Sequence, residues 1–246
     1  MSSDDSVYRA PGSPLDRPSE GGARSLDDAI AGNFDFDIGS VLQEAWELVS
    51  GSKGVVLGAI AIQIVLSGLS QGIGTAWSDS GNALFAMLAF LISIGVNIVT
   101  YTISAGLYLY GIKRAAGDPS ASFEDVVSCF SIALPITGLV LLQGLLSVIG
   151  FLLLIVPGIY LVVAYGFALP LKVERGLGIW ESLETSRKAV TTAWWKVAGL
   201  FLVVGLAVAI GGLLSLGIGL IWLIPFGTMA LGVTYREIFG YSPAAR

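Results

Sequence analysis

Two long stretches of the chain contain no charged residue. One covers residues 126–171 and the other covers residues 197–235. Because a helix rises about 1.5 Å per residue, the first stretch would be about 69 Å long as a single helix, more than twice the roughly 30 Å hydrocarbon core of a membrane. Each stretch therefore predicts two membrane-spanning helices joined by a tight reversal.

Local sequence signals indicate where the chain reverses. Pro157 and Gly158 mark the first reversal, because proline suits the first turn of a new helix and glycine relaxes the backbone beside it. Residues 215–219 (SLGIG) mark the second. Nearer the N-terminus, the polar segment 75–82 (TAWSDSGN) separates two further apolar stretches. The pattern predicts an all-α integral membrane protein with six transmembrane helices, at about residues 54–74, 84–112, 132–154, 157–173, 194–214 and 218–238.

Two further features bear on the shape and packing of these spans. Gly54 and Gly58 have the spacing that allows two helices to come into close contact. The alternative interpretation is that glycine is frequent in membrane spans and that this spacing marks no contact. Pro225, followed by Gly227, predicts a kink in the sixth span. Such a kink can serve as a gate hinge or can only shape the helix.

A short segment with one apolar and one polar face precedes each pair of spans. The three segments lie near residues 38–49, 122–130 and 179–190, and helices of this kind lie along the headgroup boundary. Ser122 and Asp125 have the spacing of a capping box. An interfacial helix followed by two spans therefore occurs three times, which predicts three parallel units. The alternative is that juxtamembrane segments tend to be amphipathic without any repeat.

Composition and charge agree with a membrane protein. Of 246 residues, 54% are hydrophobic and only 13% are charged, with a mean hydropathy of +0.81, whereas soluble domains carry about 25% charged residues. All 13 lysines and arginines fall on one side of the six predicted spans, and the positive-inside rule makes that side cytoplasmic. The expected location is the cytoplasmic (inner) cell membrane, with both termini in the cytoplasm.

Composition and the distribution of charge predict three parts of the chain. Residues 1–36 are rich in Ser, Gly, Pro and Asp, and they predict a disordered acidic cytoplasmic tail that is not a signal peptide. Residues 37–240 form the predicted membrane domain. Residues 241–246 form a second, short cytoplasmic tail.

Residues 152–190, LLLIVPGIYLVVAYGFALPLKVERGLGIWESLETSRKAV, resemble a superfamily of uncharacterised bacterial and archaeal multi-span membrane proteins. That superfamily includes the membrane domain attached to some glycerophosphodiester phosphodiesterases. The shared features are the PG hairpin, a span ending near Pro170, the ERGLG elbow at residues 174–178, and Ser186 with Arg187 on an amphipathic helix. The likeness covers about residues 34–240 and implies the fold. The hydrolase domain is absent, so the resemblance implies no phosphodiesterase activity.

The residue types exclude most catalytic chemistry. The chain has no histidine, and Cys129 is its one cysteine, so an intramolecular disulfide, a cysteine metal site and a Ser–His pairing are all excluded. It also lacks a Walker loop and a carboxylate pair at membrane depth. We therefore expect no catalysis, no cofactor, no metal and no nucleic-acid partner.

Two sets of polar residues are candidate sites. Gln63, Asn97 and Gln143 lie within predicted spans and could line a pore or groove, while the alternative is hydrogen bonding between helices. A mixed-charge group near the fourth span could bind a lipid headgroup or a soluble partner, while the alternative is a solvated face with local ion pairs. Its cations are Lys172, Arg175, Arg187 and Lys188.

Two functions follow from these candidates. The first is a non-catalytic protein that organises the membrane by packing with lipids, with another membrane protein or with itself. The second is a passive or partner-driven conduit for a small polar or amphiphilic solute. A polar groove at Gln63, Asn97 and Gln143 would favour the conduit, and a closed apolar centre would favour the organising role.

Overall fold

The computed structural model describes residues 25–79 and 81–242, and this part of the chain is helical without a strand. Five of its helical segments are long and apolar enough to cross a membrane, which confirms the prediction of a helical membrane protein. The α-helices are α1 (Leu26–Ala31), α2 (Ile38–Ser78), α3 (Ala83–Ala115), α4 (Phe123–Ser128), α5 (Ala133–Leu153), α6 (Ile155–Ala164), α7 (Ala168–Arg175), α8 (Ile179–Thr192), α9 (Trp194–Leu214) and α10 (Leu220–Phe239). A 3₁₀ helix, Cys129–Ile132, connects α4 to α5.

The five segments correspond to the first five predicted spans. They are Ile38–Trp77, Ala83–Ala115, Phe123–Leu153, Ile155–Arg175 and Trp194–Leu214. The sixth predicted span corresponds to α10, a continuous 20-residue helix that runs through Pro225 and carries Arg236 and Glu237 in its last turn. These two charges make the last turn of α10 less apolar than the rest of the helix.

Three helical hairpins follow one another along the chain: α2–α3, α5–α6 and α9–α10. The reversal predicted at residues 215–219 is confirmed, and Leu216 and Gly217 have φ values of 52° and 88° there. The reversal predicted at Pro157–Gly158 lies earlier, because α5 ends at Leu153 and α6 begins at Ile155. The single extended residue Leu154, with φ −167° and ψ 156°, is enough to turn the chain.

Close backbone contact makes this tight turn possible. A Cβ atom built on Gly150 would lie 3.1 Å from the Cα atom of Gly158, so the two helices approach through glycines on both sides. Pro157 then lies in the first turn of α6, where backbone N–H groups have no partner within the helix. Gly158 packs between the two arms of the hairpin, and neither predicted residue forms its turn.

The first amphipathic segment is not a separate helix, which corrects the sequence prediction. Helix α2 continues for 41 residues without a break and runs through Gly51. Lys53 therefore lies inside α2, where its Nζ atom is 5.0 Å from the ring centroid of Trp222 on α10. The second and third segments do form helices of their own, α4 and α8, and the Ser122–Asp125 capping box of α4 is confirmed.

The fourth predicted span is interrupted. Helix α6 ends at Ala164 and α7 begins at Ala168, so residues 165–167 are not part of a regular α-helix. The buried Ser186 hydroxyl of α8 donates to the Ala164 carbonyl oxygen over 2.7 Å and accepts from the Phe167 backbone N–H over 3.2 Å. This side chain replaces two backbone hydrogen bonds that the interruption removes.

The predicted acidic tail is partly ordered. Residues 1–24 lie outside the described residues, but α1 contradicts the prediction of disorder for the segment that follows. Ala29 of α1 is fully buried, and Gly32, with φ 77°, packs against Thr192 of α8. Asp35 forms an ion pair with Lys196. Of the predicted C-terminal tail, only Tyr241 and Ser242 are described.

The packed core lies at the end of the bundle where the ion pairs are. Phe167 is at its centre, with ring centroids 5.7–6.4 Å from those of Phe201, Tyr235 and Phe239. The opposite ends of the second and third hairpins are exposed and apolar. Leu154 is 70% exposed and Leu216 is 91% exposed, as expected for side chains that contact lipid.

Candidate functional site

A groove with polar walls lies between α2 and α3. We call it the outer groove, and it has a volume of about 590 Å³. Its polar lining comes from Ser67, Ser70, Gln71, Thr75 and Asp79 on the α2 side and from Ser93, Asn97 and Thr100 on the α3 side.

The outer groove forms because the inward face of α2 changes character along its length. At the core end this face carries Val49, Val56 and Ala59, which are buried. One helical turn later the same face carries Gln63 and then Ser67, at the spacing that keeps side chains on one side of a helix. From Ser67 onward, this polar face of α2 lines the outer groove together with α3.

A second groove lies farther along the same face of α3, against α5 and the interrupted helix. We call it the inner groove, and it has a volume of about 350 Å³. Gly166, within the interruption, contributes backbone to its wall. The other lining residues are Tyr101, Ser104, Tyr108, Val140, Gln143, Gly144, Ser147 and Leu169. Irregular backbone at membrane depth occurs where it lines a cavity, and this groove has that feature.

Gln63 contacts one lining residue of each groove. Its Nε2 group donates to the Thr100 carbonyl oxygen over 3.2 Å and to the Ser104 hydroxyl over 3.1 Å. Thr100 lines the outer groove and Ser104 lines the inner groove. The buried Thr100 hydroxyl has no hydrogen-bond partner among the described residues. A buried hydroxyl without a partner is uncommon in folded proteins, and this one lies beside a polar groove.

The three predicted lining residues occupy different places in this arrangement. Asn97 lines the outer groove and donates to the Ser93 carbonyl oxygen of its own helix over 2.7 Å. Gln143 lines the inner groove, and Gln63 lies at the junction. The structure does not bring them into one cluster, but α3 connects them. Tyr101 and Tyr108 also line the inner groove and were not predicted. They lie on the face of α3 that carries Ser93, Asn97, Thr100 and Ser104 at intervals of three or four residues, and this pattern was the available signal.

The grooves carry almost no charge. Among the described residues that line them, Asp79, at the turn between α2 and α3, is the one ionisable acid or base apart from the tyrosines. The described residues contain no group of three or more His, Cys, Asp or Glu side chains placed to hold a metal ion. The walls can therefore offer hydrogen bonds, but not a counter-ion, to a solute at membrane depth.

The predicted headgroup cations are already paired within the protein. The Lys172 amine is buried and donates to the Leu177 carbonyl oxygen over 2.9 Å. Arg175 lies 2.6 Å from the Glu174 carboxylate and donates to the Phe239 carbonyl oxygen. This pairing leaves these two side chains little capacity for a lipid.

The two α8 cations share one carboxylate. Arg187 and Lys188 both form ion pairs with Glu184, at 2.8 and 3.4 Å. The hydrogen bond from the Arg187 guanidinium lowers the pKa of the Glu184 carboxyl below its ordinary value. These three side chains form a half-exposed local cluster of ion pairs. Each pair of this kind contributes under about 1 kcal/mol to the stability of the fold.

No family model matches the chain, and neither a curated protein nor a solved structure is similar to it.

Proposed function

We propose that this chain is a non-catalytic, multi-pass membrane protein that takes up a small neutral polar solute, or the polar part of an amphiphile, in the grooves along α3. The observation that carries the proposal is the position of Gln63 between two polar-walled grooves. A solute moving from one groove to the other would exchange hydrogen bonds with Gln63 and with the Thr100 hydroxyl. The protein thus acts as a passive or partner-driven conduit.

The walls favour an uncharged solute. Moving an ion into a low-dielectric site without a counter-charge is strongly unfavourable, whereas hydroxyl and amide groups need only hydrogen-bond partners. Serine, threonine, glutamine and tyrosine supply such partners along both grooves. Asp79, at the hairpin turn, lies where a solute would enter from water.

The proposal includes the number of spans, the membrane and the orientation of the termini. The protein has six spans, with α10 as the sixth, and lies in the cytoplasmic membrane of a prokaryote with both termini inside. The ion pairs support this orientation, because they lie together at one end of the bundle. They include pairs at the start of α2, at the ends of α3 and α10, and on α8. Helices α4 and α8 lie at the inner surface. The three units and the resemblance to the prokaryotic superfamily remain proposals about the fold.

Groove-filling variants test the conduit. A Cβ atom at Gly74 in the outer groove or at Gly144 in the inner groove would meet nothing within 4 Å, so the first carbon of a phenylalanine side chain has room at either position. Gly68→Phe and Gly95→Phe are the matched controls, because these glycines are equally open but line neither groove. The measurement is erythritol influx into proteoliposomes, followed by stopped-flow light scattering.

The conduit predicts that Gly74→Phe and Gly144→Phe reduce erythritol influx to the rate of protein-free vesicles, while both controls retain it. Replacement of Gln63, Asn97 and Gln143 together by leucine removes the wall hydrogen bonds and should have the same effect. Influx that is unchanged in all groove variants contradicts the proposal. Potassium influx equal to erythritol influx contradicts the neutral solute class.

A membrane-organising role is the second candidate, and exposed aromatic side chains at the ion-paired end favour it. Trp180 of α8 is 61% exposed, and Trp195, at the start of α9, is 83% exposed. Tryptophan at the membrane interface anchors a protein to the headgroup region. If the wild-type protein conducts no solute, while Trp180→Ala and Trp195→Ala reduce its binding to partners or lipids in the membrane, this role replaces the conduit.

A further inference from the structure

Arg114, in the last turn of α3, is a cation that has no partner among residues 25–79 and 81–242. Its Nε atom is buried and has no hydrogen bond, and no ion pair or hydrogen bond reaches its guanidinium from the residues that the structure describes. Every other lysine and arginine in residues 25–79 and 81–242 contacts a carboxylate, a carbonyl oxygen or an aromatic ring. The neighbouring Lys113, for example, pairs with Asp125. Leaving a partly buried guanidinium unpaired is costly, so its partner is expected to come from outside the described residues.

Helix α2 leaves space for this side chain. A Cβ atom on Gly51 would overlap the Nη2 atom of Arg114, so the guanidinium occupies the place of a missing side chain. The Tyr110 hydroxyl donates to the Gly51 carbonyl oxygen over 3.4 Å and lines the same place. The Arg114 guanidinium therefore lies against the backbone of α2 at Gly51.

A strip of bare backbone continues from this position toward the membrane interior. Gly51, Gly54 and Gly58 follow one side of α2, over about 10 Å of helix. A Cβ on Gly54 would meet nothing within 4 Å, and one on Gly58 would touch only Phe123, at 4.0 Å. The strip is thus open at its centre and bordered by an aromatic ring, which suits an acyl chain.

We propose that Arg114 binds the phosphate group of a phospholipid in the leaflet that meets this end of the bundle, with the first part of an acyl chain lying along the Gly51–Gly58 strip. Guanidinium and phosphate form short, bidentate, charge-assisted hydrogen bonds. The continuous glycine strip favours a lipid over free phosphate, since inorganic phosphate has no apolar part to cover it. This site is separate from the grooves along α3, and its occupancy does not depend on solute transport.

The test measures how much phosphatidylglycerol stabilises the full chain in detergent. The readout is the midpoint of thermal unfolding with added phosphatidylglycerol, with inorganic phosphate, or with a diacylglycerol that has the same acyl chains. Arg114→Gln removes the donor. Gly51→Ala keeps the arginine but places a methyl group in its way. Arg187→Gln and Gly68→Ala are the matched controls, since Arg187 is already paired with Glu184 and Gly68 is open.

The site predicts that phosphatidylglycerol raises the midpoint for the wild type and both controls, more than inorganic phosphate or diacylglycerol does. Arg114→Gln and Gly51→Ala should bind the lipid about tenfold more weakly or worse, and should lose this rise. An unchanged rise in Gly51→Ala, or in a folded Arg114→Gln protein, overturns the proposal. An equal rise with inorganic phosphate or with diacylglycerol also overturns it, because the ligand is then not a phospholipid.

Discussion

Arg236 on α10 and Glu44 on α2 are paired through two hydrogen bonds, from Nη1 to Oε1 and from Nη2 to Oε2, the second over 2.8 Å. The same guanidinium donates to the carbonyl oxygen of Ala115, the last residue of α3. One side chain therefore connects three helices at the ion-paired end of the bundle. This geometry explains why α10, despite its two charges, packs as a central helix.

Removing this connection should destabilise the protein. We expect Arg236→Gln to lower the free energy of unfolding by about 2–3 kcal/mol, because its charge-assisted hydrogen bonds to α2 and α3 are lost. Arg187→Gln removes a half-exposed pair within α8 and should cost about 0.5 kcal/mol. Thermal unfolding in detergent compares the two variants. Equal losses would mean that Arg236 does not connect the helices as described.

The crossing of α3 and α10 depends on two glycines. A Cβ on Gly232 would overlap the carbonyl oxygen of Gly111, and a Cβ on Gly111 would lie 2.9 Å from the Thr228 carbonyl oxygen. We expect Gly232→Ala to cost about 1–3 kcal/mol of unfolding free energy, since the backbones must separate. Gly205→Ala on α9 adds the same methyl group in open space and should be neutral or slightly stabilising. A neutral Gly232→Ala would show that the helices have room to move apart.

The sequence predicts the elements that depend on local chemistry. Uncharged runs too long for one crossing predict hairpins, and the structure has them at α5–α6 and α9–α10. The capping box at Ser122 and Asp125 is confirmed because both partners lie within one turn. The polar side chains of α2 and α3 also indicated that polar groups would meet at membrane depth, which they do at Gln63 and Ser104.

Features that depend on distant residues could not be predicted. The interruption at residues 165–167 is stable because Ser186, on another helix, bonds to both sides of it. The glycine pair predicted to form a close contact, Gly54 and Gly58, faces open space or a single ring edge, and the actual crossing uses Gly111 and Gly232. Spacing alone cannot choose between glycine pairs, because the choice depends on which helices become neighbours.

The three hairpin tips should differ in their access to water. The α2–α3 turn carries Asp79, whereas the α9–α10 turn carries the exposed apolar residue Leu216. In a Cys129→Ala background, we expect Asp79→Cys to react with a membrane-impermeant maleimide added outside cells. Leu216→Cys should stay unlabelled because lipid covers it, and Ser120→Cys, in the α3–α4 connection, should react only after the membrane is opened. Labelling of Ser120→Cys in intact cells would reverse the proposed orientation.

The C-terminal segment should detach from the bundle in acid. The Tyr241 hydroxyl donates to the Asp118 carboxylate, and this bond lowers the pKa of Asp118, while burial raises the pKa of Tyr241. A lowered carboxyl pKa stabilises the fold above the ordinary value of about 3.9, and this contribution disappears as the pH falls through the folded pKa. A raised tyrosine pKa leaves its contribution complete below about pH 10 and removes it at higher pH.

Two variants on this contact should therefore show the same pH profile. Asp118→Asn and Tyr241→Phe each remove the bond and should lower the free energy of unfolding by about 1 kcal/mol between about pH 5 and pH 9. Below about pH 4 the difference between wild type and Asp118→Asn should shrink, because protonated Asp118 resembles asparagine. Thermal unfolding at a series of pH values measures the difference. A loss that stays constant down to pH values well below about 3 would mean that Tyr241 is held by its packing and not by the Asp118 carboxylate.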